Sequence, residues 1–399
     1  MRFNPLTVQV ADSPIGLAQG LTAHRAKRRD LLDLAQAAPP YPPAPEVVEH
    51  VMATARDPRG GEYVVDVAGL PRLREVFAAE LSTDYRGHVG AEHVFVTAGC
   101  NQAFCLVMSA LAAQGDQVLL TLPYYFNHDM WLRMTGIEPV YLEPGPDQIP
   151  TPEAAEALIT PRTRALVVVT PGNPSGAVVP PDRIAALAEV AARHGIALIL
   201  DETYRSFRDT DEPAHALFAD PGWTDTVISL HSFSKDLAIP GYRVGAVVAS
   251  PELGRQLAKL LDCVAICAPR IGQEAAWAGL TRATTWRRER AEDIADRRRR
   301  FSALMAEKPG GFELLSVGGM FGWLRHPFVG PSTEDVVREL VISYDTLVIP
   351  GTAFLPDDQG TFRISLSNID VTGLTDFARR LTALGEERAR SAGFEPATS

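Results

Sequence analysis

The sequence has few cysteines, no long apolar run and no excess of positive charge. Cys100, Cys105, Cys263 and Cys267 are the only cysteines among 399 residues, and neither close pair has the C-x-x-C spacing of a zinc site. No stretch reaches the roughly 18 uninterrupted apolar residues of a membrane-spanning helix. Acidic residues outnumber basic ones, 49 to 38, which argues against binding to a nucleic-acid backbone. We therefore expect no metal site, no membrane segment and no nucleic-acid partner, and reduced thiols in the cytoplasm.

Short apolar runs alternate with helical patterns between residues 46 and 275. Several runs are apolar at consecutive positions, which is typical of strands buried on both faces of a sheet. The alternation predicts an α/β fold, with a large domain (46–275) in which a mostly parallel seven-stranded sheet lies between helices. After residue 275, a long charged helix and short strands predict a smaller α+β domain, built from 1–45 and 276–399.

The individual elements can be placed from the same patterns. The predicted strands are 94–97, 117–121, 139–142, 165–170, 197–201, 226–229 and 243–249, followed by 319–325, 346–349 and 361–365. Predicted helices include 101–113, 181–194, 284–308 and 371–390. The proline-rich stretch 39–45 is expected to be an extended connector, because proline fixes φ and lacks an N–H donor.

Lys235 follows an apolar strand and is preceded by two hydroxyl residues, Ser232 and Ser234, with Arg243 eight residues later. A lysine in a partly desolvated position near another cation becomes a nucleophilic amine, which can condense with an aldehyde. Two hydroxyl groups and a guanidinium that converge suit a phosphate group. The segment therefore predicts a reactive amine beside an anion site.

Three other predicted strands also run into polar segments. Asp201 ends an apolar strand, at the edge where open α/β sheets bind ligands, and a carboxylate buried there needs a cationic partner. Asn173 lies in a tight turn that presents its amide as a donor. Gly99, Cys100 and Asn101 begin a helix, whose first N–H groups can bind an anion.

Taken in their order along the chain, these four segments resemble those of the fold type I pyridoxal-phosphate enzymes, specifically the class I and II aminotransferases. The resemblance extends over roughly residues 13–390 and implies pyridoxal 5′-phosphate (PLP) as the cofactor. By resemblance, Lys235 is the Schiff-base lysine, which also moves a proton between the substrate Cα and the cofactor C4′. Asp201 is the carboxylate that keeps the ring nitrogen protonated, and Tyr204 completes the catalytic set.

The resemblance also assigns the residues around the cofactor. Asn173 and Tyr204 match the pair that binds the 3′-oxygen of the ring, Tyr125 matches the aromatic that stacks on it, and His128 matches a histidine behind Asp201. The phosphate is assigned to Gly99, Cys100, Asn101, Ser232, Ser234 and Arg243. Tyr63 matches a tyrosine that reaches the phosphate of the neighbouring subunit, which implies a homodimer with shared active sites.

For the substrate, Arg363 matches the arginine that binds the α-carboxylate, and Asn173 and Ala37 also belong to the substrate site. Ala37 stands where the family often has a glycine, so its methyl group narrows the carboxylate end of the pocket. Two interpretations of Arg270 stay open: it selects an acidic substrate side chain, or it forms an interface ion pair. A neutral or aromatic substrate is favoured, because no arginine other than Arg270 is an evident clamp for a second carboxylate.

The implied activity is a ping-pong transfer of an amino group from an L-amino acid to a 2-oxo acid. An alternative keeps the fold and the cofactor but changes the fate of the Cα carbanion, giving a carbon–sulfur β-lyase, a hydroxylase or oxidase, or a cyclase. A third hypothesis is a PLP-binding regulator domain behind a DNA-binding module. The residues ahead of the main body contain no recognisable module of that kind.

Overall fold

The computed structural model describes residues 1–27 and 29–391, in two compact units. Unit 1 comprises Met1–Val10, Tyr41–Pro171 and Val178–Ala291, and unit 2 comprises Ala11–Pro40, Gly172–Ala177 and the chain from Glu292 onward. The domain boundaries expected after residues 45 and 275 stay a prediction, and the end of the second expected domain, 392–399, lies outside the described residues. Within the described part of the chain, no helix is long and apolar enough to cross a membrane.

Proline begins many of the helices. The helices are α1 Pro5–Val8, α2 Pro14–Leu21, α3 Pro45–Arg56, α4 Pro71–Asp84, α5 Cys100–Leu111, α6 Phe126–Thr135, α7 Pro152–Leu158, α8 Pro181–His194, α9 Pro251–Ala265, α10 Arg270–Arg282, α11 Thr284–Ala306, α12 Thr333–Tyr344 and α13 Val371–Ser391. Proline suits the first helical position because its fixed φ is already helical and the N–H that it lacks would have no partner there. Thr151 and Ser250 add side-chain caps, accepting hydrogen bonds from the N–H groups of Ala154 and Leu253.

The strands form separate sheets in the two units. They are β1 Leu32–Asp33, β2 Val94–Thr97, β3 Gln117–Thr121, β4 Glu138–Leu142, β5 Thr163–Val169, β6 Ala197–Asp201, β7 Val227–Ser232, β8 Gly245–Val248, β9 Glu313–Gly318, β10 Phe321–Arg325, β11 Thr346–Leu347, β12 Ile349–Pro350 and β13 Thr361–Ser365. Unit 1 holds a seven-stranded sheet in the order β2-β8-β7-β6-β5-β3-β4. Its strands β4, β3, β5, β6 and β7 are parallel, and β8 is antiparallel to both of its neighbours. The predicted α/β fold with a mostly parallel seven-stranded sheet is confirmed.

The register of this sheet brings the ends of three strands to one edge. Val169 of β5 pairs with Asp201 of β6, and Asp201 pairs with Leu230 of β7. The backbone N–H of Thr170 donates to the carbonyl of Asp201 at 3.0 Å. The loops that follow β6 and β7 therefore start side by side, and they carry Tyr204 and Lys235.

Unit 2 is an α+β structure, as predicted. Four antiparallel strands form a sheet in the order β12-β13-β10-β9, and β1 pairs with β11 in parallel. Phe301 of α11, Phe362 of β13 and Phe377 of α13 belong to its apolar core. At the start of α12, Ser332 and Asp335 form a reciprocal capping box.

Several boundaries differ from those expected. β7 continues to Ser232, because its ladder with β8 extends to the pair Ser232 and Gly245. β8 begins only at Gly245, since Arg243 adopts φ 52°, which is not an extended conformation. The expected strand 346–349 is two short strands, and β9 was not expected. The stretch 39–45 contains no helix until Pro45, where α3 begins.

Candidate active site

Asp201 is a buried carboxylate that the surrounding donors keep charged. Its Oδ1 accepts a hydrogen bond from the backbone N–H of Thr203 at 3.1 Å and lies 3.7 Å from the thiol of Cys100. Its Oδ2 lies 3.4 Å from Nε2 of His128. Burial opposes the charge, but the hydrogen bonds from His128 and Thr203 outweigh it and hold the pKa of Asp201 below its ordinary value. The site is therefore suited to a cationic group of a ligand.

His128 is oriented toward Asp201 by aromatic contacts. The imidazole stacks on Phe104 of α5, with ring centroids 3.8 Å apart. The ring of Tyr125, the residue before α6, meets His128 edge-on at 5.1 Å. The Tyr125 hydroxyl donates to Oδ1 of Asn101 at 3.3 Å. Helix α5, helix α6 and the residue before α6 thus bring together Asn101, Tyr125 and His128, three residues that the resemblance assigns to the surroundings of the cofactor.

Gly99 and Arg243 lie in close contact just before α5. Gly99 precedes α5 with φ 89°, and a Cβ at this position would collide with the Arg243 guanidinium. Arg243 donates from Nη2 to the carbonyl of Ala98 at 3.3 Å and from Nη1 to that of Pro240 at 3.0 Å. Glycine is required here both for the positive φ and for the close approach of the side chain.

The first turn of α5 lies against Gly245, the sheet partner of Ser232. Cys100 is the first residue of the helix, so its N–H group and that of Asn101 lack helical acceptors. A Cβ on Gly245 would lie 2.8 Å from the Cys100 nitrogen, and Gly245 pairs with Ser232 across the sheet. The Ser232 hydroxyl accepts from the N–H of Ser234 at 3.2 Å. Helix N–H groups, hydroxyls and a guanidinium together suit a phosphate dianion.

Tyr204 and Lys235 follow the adjacent parallel strands β6 and β7. Tyr204 is buried, and its carbonyl accepts from the N–H of Phe207 at 2.9 Å. Lys235 is half-buried, and its carbonyl accepts from the N–H of Ala238 at 3.3 Å. Ala238 has φ 53°, an unfavourable left-handed conformation for alanine. The backbone after Lys235 is therefore a tight and specific turn.

Arg363 lies in the interior of unit 2, on β13. Its Nη1 donates to Oδ1 of Asn173 at 2.7 Å, and its Nη2 donates to the carbonyl of Ala35. The guanidinium carbon lies 4.9 Å from the ring centroids of both Phe321 and Phe354. A guanidinium fixed between two rings is a preorganised fork for a carboxylate. Because Asn173 uses Oδ1 for this contact, its Nδ2 is the atom that donates elsewhere.

Three other proposed residues are Ala37, Tyr63 and Arg270. Ala37 is buried in unit 2. Tyr63 is 67% exposed in unit 1. The guanidinium of Arg270 donates to the backbone carbonyls of Glu62 and Tyr63, at 2.9 and 2.8 Å. Arg270 therefore supports the segment that carries Tyr63.

The donor set of unit 1 fits PLP. A carboxylate with a lowered pKa suits the protonated ring nitrogen, and the N–H, hydroxyl and guanidinium groups around Gly99 suit the phosphate. The amine of Lys235 suits the aldehyde. Among residues 1–27 and 29–391, no group of three or more His, Cys, Asp or Glu side chains is arranged to hold a metal ion.

Sequence reasoning missed several contacts in these two sites. The thiol of Cys100 contacts Asp201, although only its backbone had been assigned a role, and burial together with the charge of Asp201 raises the pKa of the thiol. The N–H of Thr203 also binds Asp201, which the sequence signals only through its position two residues later. The rings of Phe321 and Phe354 around Arg363 come from distant segments and give no local signal.

Comparisons with known proteins all point to aminotransferases. The family model described as aminotransferase class I and II matches residues 29–381. An aromatic aminotransferase of Arabidopsis thaliana is 31% identical over 362 residues, which cover 88% of each chain. An arginine–pyruvate transaminase of Pseudomonas aeruginosa is 31% identical over 332 residues, covering 82% of this chain and 84% of the relative.

Solved structures share the same fold. The aspartate aminotransferase of Thermus thermophilus with maleate superimposes with a TM-score of 0.86 and is 25% identical, with 96% of this chain and 100% of that chain covered. An aminotransferase of Mycobacterium tuberculosis has a TM-score of 0.87 at 24% identity, with 97% and 100% coverage. The fold and the family model therefore extend over nearly all of both units.

Proposed function

Because the chain belongs to the aminotransferase class I and II family, we propose that it transfers an amino group from an L-amino acid to a 2-oxo acid, using PLP and a ping-pong mechanism. The observation that carries the proposal is Asp201, a buried carboxylate that its neighbours keep charged beside the strand leading to Lys235. When bound, PLP supplies a conjugated ring that accepts the electron pair left as the substrate Cα–H bond breaks.

Asp201 would hold a proton on the ring nitrogen of the cofactor. Its Oδ1 and Oδ2 are already oriented by Thr203 and His128, so a cation would complete the charge balance of a buried site. Protonation of this nitrogen makes the ring a better electron acceptor. Tyr125 would stack on the ring, and Tyr204 and Asn173 would donate hydrogen bonds to the 3′-oxygen.

The phosphate would bind at the first turn of α5. The N–H groups of Cys100 and Asn101 supply uncharged donors, Ser232 and Ser234 supply hydroxyls, and Arg243 supplies the compensating charge. This set supports tight anchoring at one end of the cofactor. Anchoring fixes the position of the aldehyde relative to Lys235, which lowers the entropic cost of reaction.

Lys235 would hold the cofactor aldehyde covalently between turnovers. Once the substrate amine has displaced it, the Lys235 amine would take the proton from the substrate Cα and deliver it to the cofactor C4′. Its half-buried position supports this role, since it keeps the amine partly shielded from bulk water.

Arg363 would bind the α-carboxylate of the amino acid. The contacts with Asn173 and Ala35 fix the plane of the guanidinium before substrate arrives, so little side-chain entropy is lost on binding. We propose neutral or aromatic amino acids as donors, because Arg270 is bound to the backbone of residues 62 and 63 and does not supply an evident second carboxylate clamp.

We further propose a cytoplasmic homodimer. The exposed ring of Tyr63 supports a role at a neighbouring subunit, where it would reach the phosphate. The four cysteines are free thiols, and Cys263 is exposed, which suits a reducing compartment. The proposed functional domains are 46–275 for cofactor binding and 1–45 with 276–399 as the small domain.

The substitution Asp201→Asn tests the proposal. The amide is isosteric but uncharged, so the variant should still bind PLP and slow the donor half-reaction by about 10²-fold or more. The matched control is Asp129→Asn, which changes another buried carboxylate of unit 1, bound to Arg133 and Tyr141. The control should react at close to the native rate. Equal rates for Asp201→Asn and the native protein would remove the main support for the proposal.

A further inference from the structure

A second group of charged side chains, all but Asp84 largely buried, lies in unit 1 next to the proposed catalytic residues. It consists of Glu80 and Asp84 on α4, Arg205 after β6, Asp236 after β7 and Arg287 on α11, and we call it the ion cluster. The side chains of Arg205, Asp236 and Arg287 are only 12%, 9% and 14% exposed. None of these residues takes part in the proposed chemistry.

The ion cluster is built around Glu80. Arg287 donates from Nη1 to Oε2 at 2.7 Å and from Nη2 to Oε1 at 2.9 Å, a bidentate pair. Arg205 also binds Oε1 of Glu80 through Nη2, and it donates from Nη1 to Asp84 at 2.6 Å. Nη2 of Arg287 reaches Oδ2 of Asp236 at 3.0 Å. One carboxylate on α4 therefore holds two arginines, and one of these arginines holds Asp236.

Two members of the cluster are chain neighbours of proposed catalytic residues. Arg205 directly follows Tyr204, and Asp236 directly follows Lys235. A direct hydrogen bond also joins the loop after β6 to the turn after β7, because the Ser206 hydroxyl donates to Oδ2 of Asp236 at 3.3 Å. Adjacent Cα atoms are a fixed distance of about 3.8 Å apart, so a shift of either anchor is passed to the catalytic residue beside it.

Apolar packing reinforces the same connection. The guanidinium carbon of Arg205 lies 5.6 Å from the ring centroid of Phe77 on α4. Phe77 packs edge-on against Phe233, two residues before Lys235, with centroids 4.8 Å apart. The loop after β6 and the segment carrying Lys235 therefore share α4 as a common support.

The electrostatics of the cluster make it sensitive to the loss of any member. Burial opposes the charge of Glu80, yet Arg205 and Arg287 hold its pKa down to about 2. Burial raises the pKa of Asp236 above its ordinary value, and its Oδ1 has no hydrogen-bond partner among the described residues. Removing one partner leaves another buried charge uncompensated, whereas a buried ion network adds little stability over apolar packing. We therefore interpret the network as fixing the positions of the segments it joins, rather than as a source of stability.

We propose that the ion cluster positions two segments relative to each other, the loop that carries Tyr204 and the turn that carries Lys235, so that both side chains can contact the cofactor. Arg287 and Asp236 are its principal positioning residues, since their contact joins the Lys235 turn to Glu80 and, through it, to Arg205. This inference rests on the proposed function, because it assigns the cluster a role through Lys235 and Tyr204.

A double-mutant cycle on cofactor binding tests the inference. The variants are Asp236→Asn, Arg287→Gln and the double variant, with Arg287→Lys as the conservative partner. The control is Arg388→Gln, which removes a partly buried arginine–glutamate pair with Glu339 in unit 2. For each folded apoprotein, the dissociation constant of PLP is measured by titration, and the attachment rate at Lys235 by borohydride trapping and peptide mass analysis.

Each single substitution should weaken PLP binding at least tenfold, which corresponds to about 1.4 kcal/mol. It should also slow the attachment of PLP to Lys235 by up to about 10²-fold, since a misplacement of about 1 Å has an effect of that size. The double variant should lose less than the product of the two single losses, because both break one connection. Arg287→Lys should recover part of the loss, and Arg388→Gln should leave PLP binding unchanged even where it lowers the melting temperature.

The outcomes separate the two proposals. If the native protein does not attach PLP at Lys235, the proposed function fails. If the native protein attaches PLP and the cluster variants bind and attach it at native rates, the cluster is merely structural and the inference is overturned. Losses that multiply in the double variant would also overturn it. If Arg287→Gln does not fold, Asp236→Asn decides the question, since Arg287 retains its bidentate pair with Glu80 in that variant.

Discussion

Replacing Arg363 by glutamine should remove recognition of the substrate α-carboxylate. Arg363 is 2% exposed, and its guanidinium is fixed by Asn173, Ala35 and two phenylalanine rings. A hydrogen bond to a charged group contributes about 1.5–3 kcal/mol, so losing a bidentate pair costs about 3–6 kcal/mol. That free energy corresponds to a loss of about 10²–10⁴-fold in kcat/KM.

The assay compares two donors that differ only in the carboxylate. An L-amino acid and the amine with the same side chain but no α-carboxylate are each reacted with native protein and with Arg363→Gln. The variant should lose the predicted factor for the amino acid and change little for the amine. The dissociation constant of PLP should stay near its native value, because Arg363 is not among the residues proposed to bind the cofactor. An equal loss for the two donors would refute the assignment, since it would indicate general damage to the protein.

Three further substitutions or reactions test other parts of the structure. Gly99→Ala should weaken PLP binding by more than tenfold, because the alanine would be strained at φ 89° and its Cβ would displace Arg243; equilibrium titration measures this. Glu80 has a folded pKa of about 2, below its unfolded value, so its stabilisation is present above pH 4.5 and is lost as pH falls toward 2. That contribution is about 3 kcal/mol, and Glu80→Gln should flatten the acid side of the plot of unfolding free energy against pH. A thiol reagent at neutral pH should modify Cys263 rapidly in the folded protein, while Cys100 should react only on unfolding, because it is buried with a raised pKa.

The positions of the strands that lead to the site could be predicted from the sequence. Residues 94–97, 117–121 and 197–201 are apolar runs whose ends match the observed strands. Strands buried on both faces must be apolar at consecutive positions, so their pattern is strong. Asp201 ends one such strand and Gly99 lies two residues after another, at the edge where open α/β sheets commonly bind ligands, which is why both could be singled out as candidates.

Elements on the surface of unit 2 could not be predicted in the same way. The strand β9, Glu313–Gly318, is half-buried over most of its length and shows neither a clear alternation nor a continuous apolar run. Its ladder with β10 also contains an irregularity between Trp323 and Leu324. The pairing of β9 with β10 therefore determines its strand conformation, since such pairing outweighs the weak strand propensity of its own residues.

Contacts between distant residues that no motif carries were beyond sequence reasoning. The pair of Arg287 and Glu80 joins residues 207 positions apart, and a charged residue in a helix is ordinarily read as solvent-exposed. In the sequence, Arg287 belongs to a basic stretch whose simplest interpretation is a solvated helix face. Likewise, the support that Arg270 gives to the Tyr63 segment depends on two backbone carbonyls, which carry no side-chain signal.

The proposed activity requires that this site move an amino group from a donor amino acid to the cofactor at Lys235. The most direct test is to record the absorption spectrum of the PLP-loaded protein while single L-amino acids are added in the absence of any oxo acid. Aromatic and neutral donors should convert the pyridoxal form to the pyridoxamine form, with one equivalent of 2-oxo acid per site and no ammonia. Persistence of the pyridoxal form while ammonia or pyruvate accumulates would contradict the account and would favour a lyase or an oxidase.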